Sequence, residues 1–361
     1  MSKIGVALIG SGGIALANHV PGLALCPEAK LVALCDTNPA TLEKASQSTG
    51  VTQTSTKYED ILKRDDVHAV IVATPNFVHA PIVMAAAAAG KHVLCEKPLA
   101  MDLAESIKML HAVEGAGVRH MTAFTYRFVP AMHYMSYLTR SGKLGKPYHF
   151  RAQRFQDWGT RNLAWRQVKK LAATGEMGDM LSHRIDYGHF LVGPMTRVVS
   201  QLRRYVDLRG DQPSDLDDWV GMLADFDGGA TGVLESTKLA TGRGEGGRSQ
   251  DYCEVNGTEG SAVYYLNKPN EIQLGHKGGS GLETFPVPRE FLTWPGSKRD
   301  PTVGDPIATF RYDQDVEFIE AILDKRPCRP SFVDGVRVQA VMEAALESDR
   351  ERKWIDVRQT F

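Results

Sequence analysis

Over its first third the chain alternates short apolar runs with longer segments of helical spacing. The apolar runs fall at residues 6–9, 31–35, 67–72, 92–95 and 119–122, and helical spacing fills 40–49, 79–89 and 103–114. Strands repeated in this way need crossover connections, and a parallel sheet covered by helices on both faces supplies them. The tract Met84-Ala85-Ala86-Ala87-Ala88-Ala89 reads as a close-packed helix with Gly90 as its stop, because alanine is the best helix former.

Beyond residue 125 the rhythm changes. A helix is expected over 130–140, a strand over 148–155, then an irregular Arg/Trp-rich stretch and a helix near 178–191. Strand-like runs follow at 196–206, 219–226, 230–236, 251–255 and 262–266. The turns Asp227-Gly228-Gly229 and Asn256-Gly257-Thr258 between them favour a mostly antiparallel sheet. Helices over 307–323 and 334–350 close the chain, and no internal repeat is visible. Two domains are therefore expected, an α/β domain at 1–125 and an α+β domain at 126–361.

Composition removes whole classes of function. A length of 361 residues accommodates two cores, and 43% apolar with 24% charged residues is ordinary for a globular chain. A formal net charge of −1 gives no footprint for nucleic acid or an anionic membrane, and no apolar run is long enough to span a bilayer. Strand-forming sequence starts at Ile4, so no signal peptide is expected. The five cysteines (Cys26, Cys35, Cys95, Cys253, Cys328) are odd in number and scattered, which suits a reducing cytoplasm.

The stretch "VALIGSGGIALANHVPGL" follows the first strand and opens a helix. It holds Gly10, Gly12 and Ala15 at the G-x-G-x-x-A spacing, with Gly13 and Ile14 inside the turn. The first glycine permits a tight turn, the second lets backbone approach a pyrophosphate, and the small third residue keeps helix close to strand. Helix N–H groups then face the phosphates. The next strand ends at Asp36, at the distance of about twenty residues that a ribose-binding carboxylate requires. No Arg follows closely to hold a 2′-phosphate, so the cofactor expected is NAD and not NADP.

Near the fourth strand's end stands "VLCEKPLA", where an acid, a base and a proline follow an apolar run. With the fingerprint above, "VATPNFVHAPIVMAAAAAGKHVLCEKPLA", "YRFVP" (126–130), "GEMGDMLSHRIDYGHFLVG" (175–193) and the C-terminal "DQDVEFIEAIL" and "PSFVDGVRVQAVMEAAL", it resembles the Gfo/Idh/MocA oxidoreductases over nearly the whole chain. The resemblance implies a Rossmann domain followed by a domain with an open-faced sheet. It also implies that Lys97 sits beside the nicotinamide and contacts the reacting hydroxyl, with Pro98 commonly in a cis bond. Thr74, Pro75, Asn76 and His79, at the end of the preceding strand, are expected to line the same crevice, together with Glu96 and Arg127.

Asp179, His183 and Asp186 recur at i, i+4, i+7, on one helix face. Two carboxylates and a histidine there suit a divalent metal, or simply a polar helix face. The resemblance favours a third reading, in which Asp179 and His183 are the family's Asp-x-x-x-His pair and no metal is involved. Two positions depart from the family pattern: Ala173-Thr174-Gly175 replaces a triple glycine, and Leu181 stands where glycine is common. Oxidation of a secondary alcohol needs a hydride acceptor and a base. His183 has the ordinary pKa to take the proton, and Lys97 beside a cationic nicotinamide can donate a hydrogen bond and shuttle a proton. Asp179 orients the imidazole or relays its proton, with Lys97 and His183 both standing as the formal base.

Arg151–Lys170 is rich in Arg and Trp, and the resemblance implies that this region lines the substrate side of the cleft. Arg127, Arg154, Trp165, Arg166 and His183 are the candidates, since Trp faces suit sugar rings and Arg forks suit acidic groups. A basic surface loop is the alternative for this stretch, and the glycine-rich 241–250 is expected to be a mobile loop beside the active-site mouth. Two functions stay open: an NAD-dependent dehydrogenase of a sugar or polyol, and a redox-assisted glycosidase of the same fold, acting on an acidic glycoside through transient C3 oxidation. By analogy with the family, homo-oligomerisation through the open sheet face is also expected.

Overall fold

Six strands, β1 (Ile4–Ile9), β2 (Ala29–Cys35), β3 (Thr54–Ser55), β4 (Ala69–Val72), β5 (His92–Cys95) and β6 (His120–Thr122), pair in parallel in the order β3-β2-β1-β4-β5-β6. The computed structural model describes residues 3–361, the side chain of Arg248 excepted. Every residue of β4 is buried, as a central strand covered on both faces requires. Strand order reverses between β1 and β4, the switch point at which open α/β sheets bind ligands beyond the carboxyl ends of their strands.

Local signals set the connecting helices. Asn38 caps Pro39–Thr49 by accepting from the Ala40 and Thr41 amides, and Pro39 occupies the first turn, where no donor is needed. Asp102 and Glu105 exchange caps at the start of Leu103–Gly115: Asp102 accepts the Glu105 amide and Glu105 accepts the Met101 amide. The alanine tract is helical over His79–Ala88, and Gly90 follows it with φ of 68°. With these elements, residues Thr293–Asp300 and Arg311–Val336 join Met1–Thr125 in one compact unit, here unit 1.

Unit 2 comprises Tyr126–Leu292, Pro301–Phe310 and Arg337–Phe361. Its sheet contains β7 (Pro147–Phe155), β8 (Met195–Arg203), β11 (Trp219–Phe226), β12 (Thr231–Thr237), β13 (Gln250–Gly257), β14 (Gly260–Tyr265), β15 (Glu271–His276), β16 (Glu283–Pro286) and β17 (Ile355–Asp356); a two-stranded ribbon, β9 (Leu208–Arg209) and β10 (Gln212–Pro213), stands apart. The nine strands run β16-β15-β14-β13-β7-β12-β11-β8-β17, antiparallel except for the β12–β7 pair. Alternate residues of β7, β11, β12 and β13 are buried while their neighbours are not, so one face is covered and the other open.

The strand expected over 196–206 stops at Arg203 because the Asp218 carboxylate takes the Tyr205 and Val206 amides out of the ladder. β15 and β16 carry almost no burial pattern, and no periodicity announced them. The helix expected over 307–323 is broken into Pro306–Thr309, a 3₁₀ turn at Phe310–Tyr312, and Asp313–Leu323. All five cysteines are buried and free, and among the described residues no helix is long and apolar enough to cross a membrane.

Candidate active site

Unit 1 places the candidate dinucleotide-binding residues at the β1–β4 switch point. Gly10 has φ of +90°, and a Cβ there would lie 2.5 Å from the Ala73 carbonyl oxygen, so only glycine lets the ends of β1 and β4 approach this closely. At Gly12 and Gly13 nothing lies within 4 Å of an added Cβ, which leaves open space over the turn; Ile14 is exposed beside it. Ala15, fully buried, opens the following helix, which begins as a π-turn over Ala15–His19 and continues as Val20–Ala24. Asp36, just beyond β2, accepts the Ser11 amide at 2.9 Å and the Asn38 amide at 2.9 Å, which pins its carboxylate beside the fingerprint turn. Past β4, Thr74 Oγ1 is buried with no hydrogen-bond partner, an orphan that a bound ligand would satisfy. These features fit a dinucleotide with a free ribose 2′-hydroxyl.

Pro75 and Asn76 continue the same loop, and Asn76 is buried. His79 is fully buried too. Its Nδ1 lies 3.1 Å from the Pro98 carbonyl and 3.3 Å from that of Leu99, and its Nε2 lies 3.0 Å from the Thr74 carbonyl. It thereby ties the loop after β4 to the segment after β5, and burial holds its pKa below the ordinary histidine value. Glu96 and half-buried Lys97 leave the carboxyl end of β5, and the Lys97–Pro98 peptide is cis. One Glu96 oxygen accepts the Lys97 amide at 3.2 Å.

In unit 2 a second π-turn, Met177–Leu181, runs into the helix Ser182–Leu191 and carries Asp179. The two π-turns found among the described residues thus fall on the two candidate segments, and such turns are frequent at functional sites. Asp217 anchors the second: its carboxylate accepts the Gly175 and Met177 amides at 2.7 and 2.8 Å. His183 is buried and meets the Tyr126 ring edge-on, centroids 4.6 Å apart. Asp186 is held by Arg127 through two hydrogen bonds. No group of three His, Cys, Asp or Glu able to hold a metal occurs among the described residues.

The substrate candidates divide. Arg154 is buried against Asp251, which Arg184 also binds, so its guanidinium belongs to an Arg–Asp–Arg cluster beneath the sheet. Trp165 is half-buried, and exposed Arg166 lies over its ring at 4.4 Å. In the glycine-rich 241–250, Gly246 gives its carbonyl to Arg154 at 3.0 Å. Ala173, in place of a family glycine, keeps φ of +65°, and the Thr174 amide reaches back to Ala172 across a γ-turn at 2.8 Å.

Two features escaped the sequence reading. Tyr126 was visible only as part of the "YRFVP" motif. Glu176, one turn before Asp179, is fully buried, accepts from Ser236 and lies 3.8 Å from the Lys238 ammonium; burial outweighs that cation and pushes its carboxyl up to about 7. A lone acid in a motif gave no signal of burial.

Known proteins bear on this geometry directly. Residues 4–124 match the oxidoreductase family with an NAD-binding Rossmann fold, and residues 132–263 match the GFO/IDH/MocA C-terminal domain. A levoglucosan dehydrogenase of Pseudarthrobacter phenanthrenivorans is 31% identical over 99% of this chain and 99% of its own. A glucose-6-phosphate 3-dehydrogenase of Bacillus subtilis is 27% identical over 97% of each chain. The solved structure of levoglucosan dehydrogenase in complex with NADH and levoglucosan gives a TM-score of 0.91 at 31% identity, covering 99% of this chain and 100% of that one. The chain belongs to the Gfo/Idh/MocA family of NAD-binding oxidoreductases, and its relatives there include these two sugar dehydrogenases.

Proposed function

We propose that the chain oxidises a secondary hydroxyl of a sugar, polyol or sugar derivative, with Lys97, Asp179 and His183 as the acid–base residues. What supports this most is the likeness, from end to end, to a levoglucosan dehydrogenase. Bound NAD would supply the hydride acceptor for the carbinol carbon. Lys97 Nζ donates a hydrogen bond to the reacting oxygen, His183 removes its proton, and Asp179 orients the imidazole. Gly10, Gly12, Gly13, Asp36 and Thr74 bind the cofactor. Trp165 and Arg166 are the substrate contacts we retain, because each keeps exposed surface. Five free cysteines suit a reducing cytoplasm, and the exposed Leu223, Val233 and Tyr265 on the open sheet face suit self-association, which light scattering will measure.

The deciding experiment is a panel of levoglucosan, free sugars, inositols and aryl glycosides, uronic and sulfonated ones included, incubated with NAD. Net NADH formation is the expected result. Release of aglycone at catalytic NAD, without net NADH, would replace this reading with the redox-assisted glycosidase. Neither product from any panel member would overturn both.

A further inference from the structure

We infer that Asp315 and His19 are positioning residues for Lys97, acting through one buried hydrogen-bonded chain that runs Asp315–His19–Glu96 and ends on the Lys97 main-chain amide. The inference rests on the reading of Lys97 as an acid–base residue. His19 lies in the π-turn of the fingerprint helix, Glu96 ends β5, and Asp315 comes from the helix Asp313–Leu323, 296 residues after His19. His19 Nδ1 is 2.8 Å from Asp315 Oδ1, and its Nε2 is 3.2 Å from Glu96 Oε1. The other Glu96 oxygen accepts the Lys97 amide. His19 and Asp315 are fully buried.

Both ring nitrogens face carboxylate oxygens, which accept and do not donate. A neutral imidazole would set one lone pair against an oxygen, so the ring donates from both sides as the imidazolium. Burial works against that charge, but Asp315 and Glu96 outweigh it and push the His19 pKa up to about 10. Charged groups around the chain are Lys97, which with His19 holds Glu96 low against its burial, and Asp315, which burial raises. His79 and Cys95 also sense Glu96, and Cys26 senses Asp315.

Packing alone does not account for this arrangement. Two fully buried ionisable groups and a partly buried third are no more stabilising than apolar side chains of the same volume, whereas they hold a fixed geometry. Room has been made for them: a Cβ on Gly22 would lie 2.3 Å from Asp315 Oδ2. The carboxylate thus enters where the fingerprint helix carries no side chain. Its effect at the other end is to leave the Glu96 carboxylate one orientation, and with it the amide of the residue that carries the amine.

The test uses the full chain and Asp315→Asn, with His19→Gln as a second variant should the first fail to fold. Hydrogen exchange at the Lys97 amide needs no substrate, and turnover is followed with NAD and levoglucosan as the probe sugar. Expected are exchange and kcat each changed about tenfold, faster and slower respectively, with KM and NADH affinity moving less than about threefold, and partial recovery in Asp315→Glu. In Asp315→Asn the imidazolium loses a partner, so its pKa falls and kcat gains an alkaline limb absent from the wild type. Wild-type exchange in the variants overturns the inference, whether or not levoglucosan is turned over. An active Lys97→Met would instead sink the reading of Lys97 and leave the exchange result standing.

Discussion

Arg127 and Asp186 form a buried ion pair with two parallel hydrogen bonds, Nε to Oδ2 at 2.8 Å and Nη2 to Oδ1 at 2.5 Å. Arg127 also lies over the Phe190 ring at 5.0 Å. The pair joins the 3₁₀ turn Thr125–Phe128 to the helix that carries His183. Replacing Asp186 removes a bidentate, charge-assisted pair from a buried guanidinium. Asp186→Asn is expected to lower stability by about 3–5 kcal/mol in urea unfolding. A loss below about 1 kcal/mol would mean that water or a neighbour already shields Arg127.

Asp36 stands at the end of β2 with both oxygens accepting amides, from Ser11 and Asn38. A ribose diol adds hydrogen bonds to a charged acceptor, each contributing about 1.5–3 kcal/mol. Asp36→Ala should therefore weaken NADH binding by tenfold or more, on the order of one such bond, in a fluorescence titration. Equal wild-type affinity for NAD and NADP would remove the carboxylate from cofactor selection.

Lys97→Met keeps the length and apolar stem of the side chain and removes the amine. Turnover is expected to fall by a factor of about 100 or more, with NADH affinity within about threefold of the wild type. Stopped-flow measurement separates the two. A variant that loses binding and turnover together would make Lys97 a cofactor-binding residue first.

His120 accepts the Phe332 amide through Nδ1 at 3.1 Å, a bond only the neutral ring makes. Burial, helped by Arg119, lowers its pKa from 6.5 to about 4. The unfolded chain therefore binds a proton that the folded chain refuses. This contribution is complete above pH 6.5 and is lost as pH falls through about 4, and it amounts to at most about 3 kcal/mol. Urea midpoints at neutral pH and about pH 4.5 should diverge less in His120→Asn than in the wild type. Identical slopes would assign the acid sensitivity elsewhere.

Ala173 occupies a φ of +65° that glycine adopts without strain. Ala173→Gly should raise the melting temperature, with relief of about 1 kcal/mol exceeding the entropy that glycine adds to the unfolded chain. A lower melting temperature would show that the methyl packs well enough to offset its backbone.

Much of this molecule follows from local pattern. The strand–helix alternation, the Gly10–Gly12–Ala15 turn with Asp36 beyond it, and the helix bearing Asp179 and His183 are read from spacings of a few residues. Such spacings reflect dihedral preference and one-sided burial, which a short segment expresses on its own. Helix Pro130–Arg140 and strand Trp219–Phe226 have the bounds their periodicity implied. The π-turns and the strands β15 and β16 lacked any such period.

Charge pairing was decided elsewhere. Arg127, Arg154 and Arg166 look alike in a sequence, yet the first two are buried against Asp186 and Asp251 and the third is exposed. Nothing near His19 in the chain announces Asp315 as its partner. Which carboxylate meets which cation depends on which segments pack together, and that is fixed by burial of apolar surface summed over the whole fold. The sequence determined by itself the architecture and the kinds of chemistry its motifs carry; only the tertiary structure decided which of its charges are buried and held, because desolvation belongs to a place in the fold and not to a residue type.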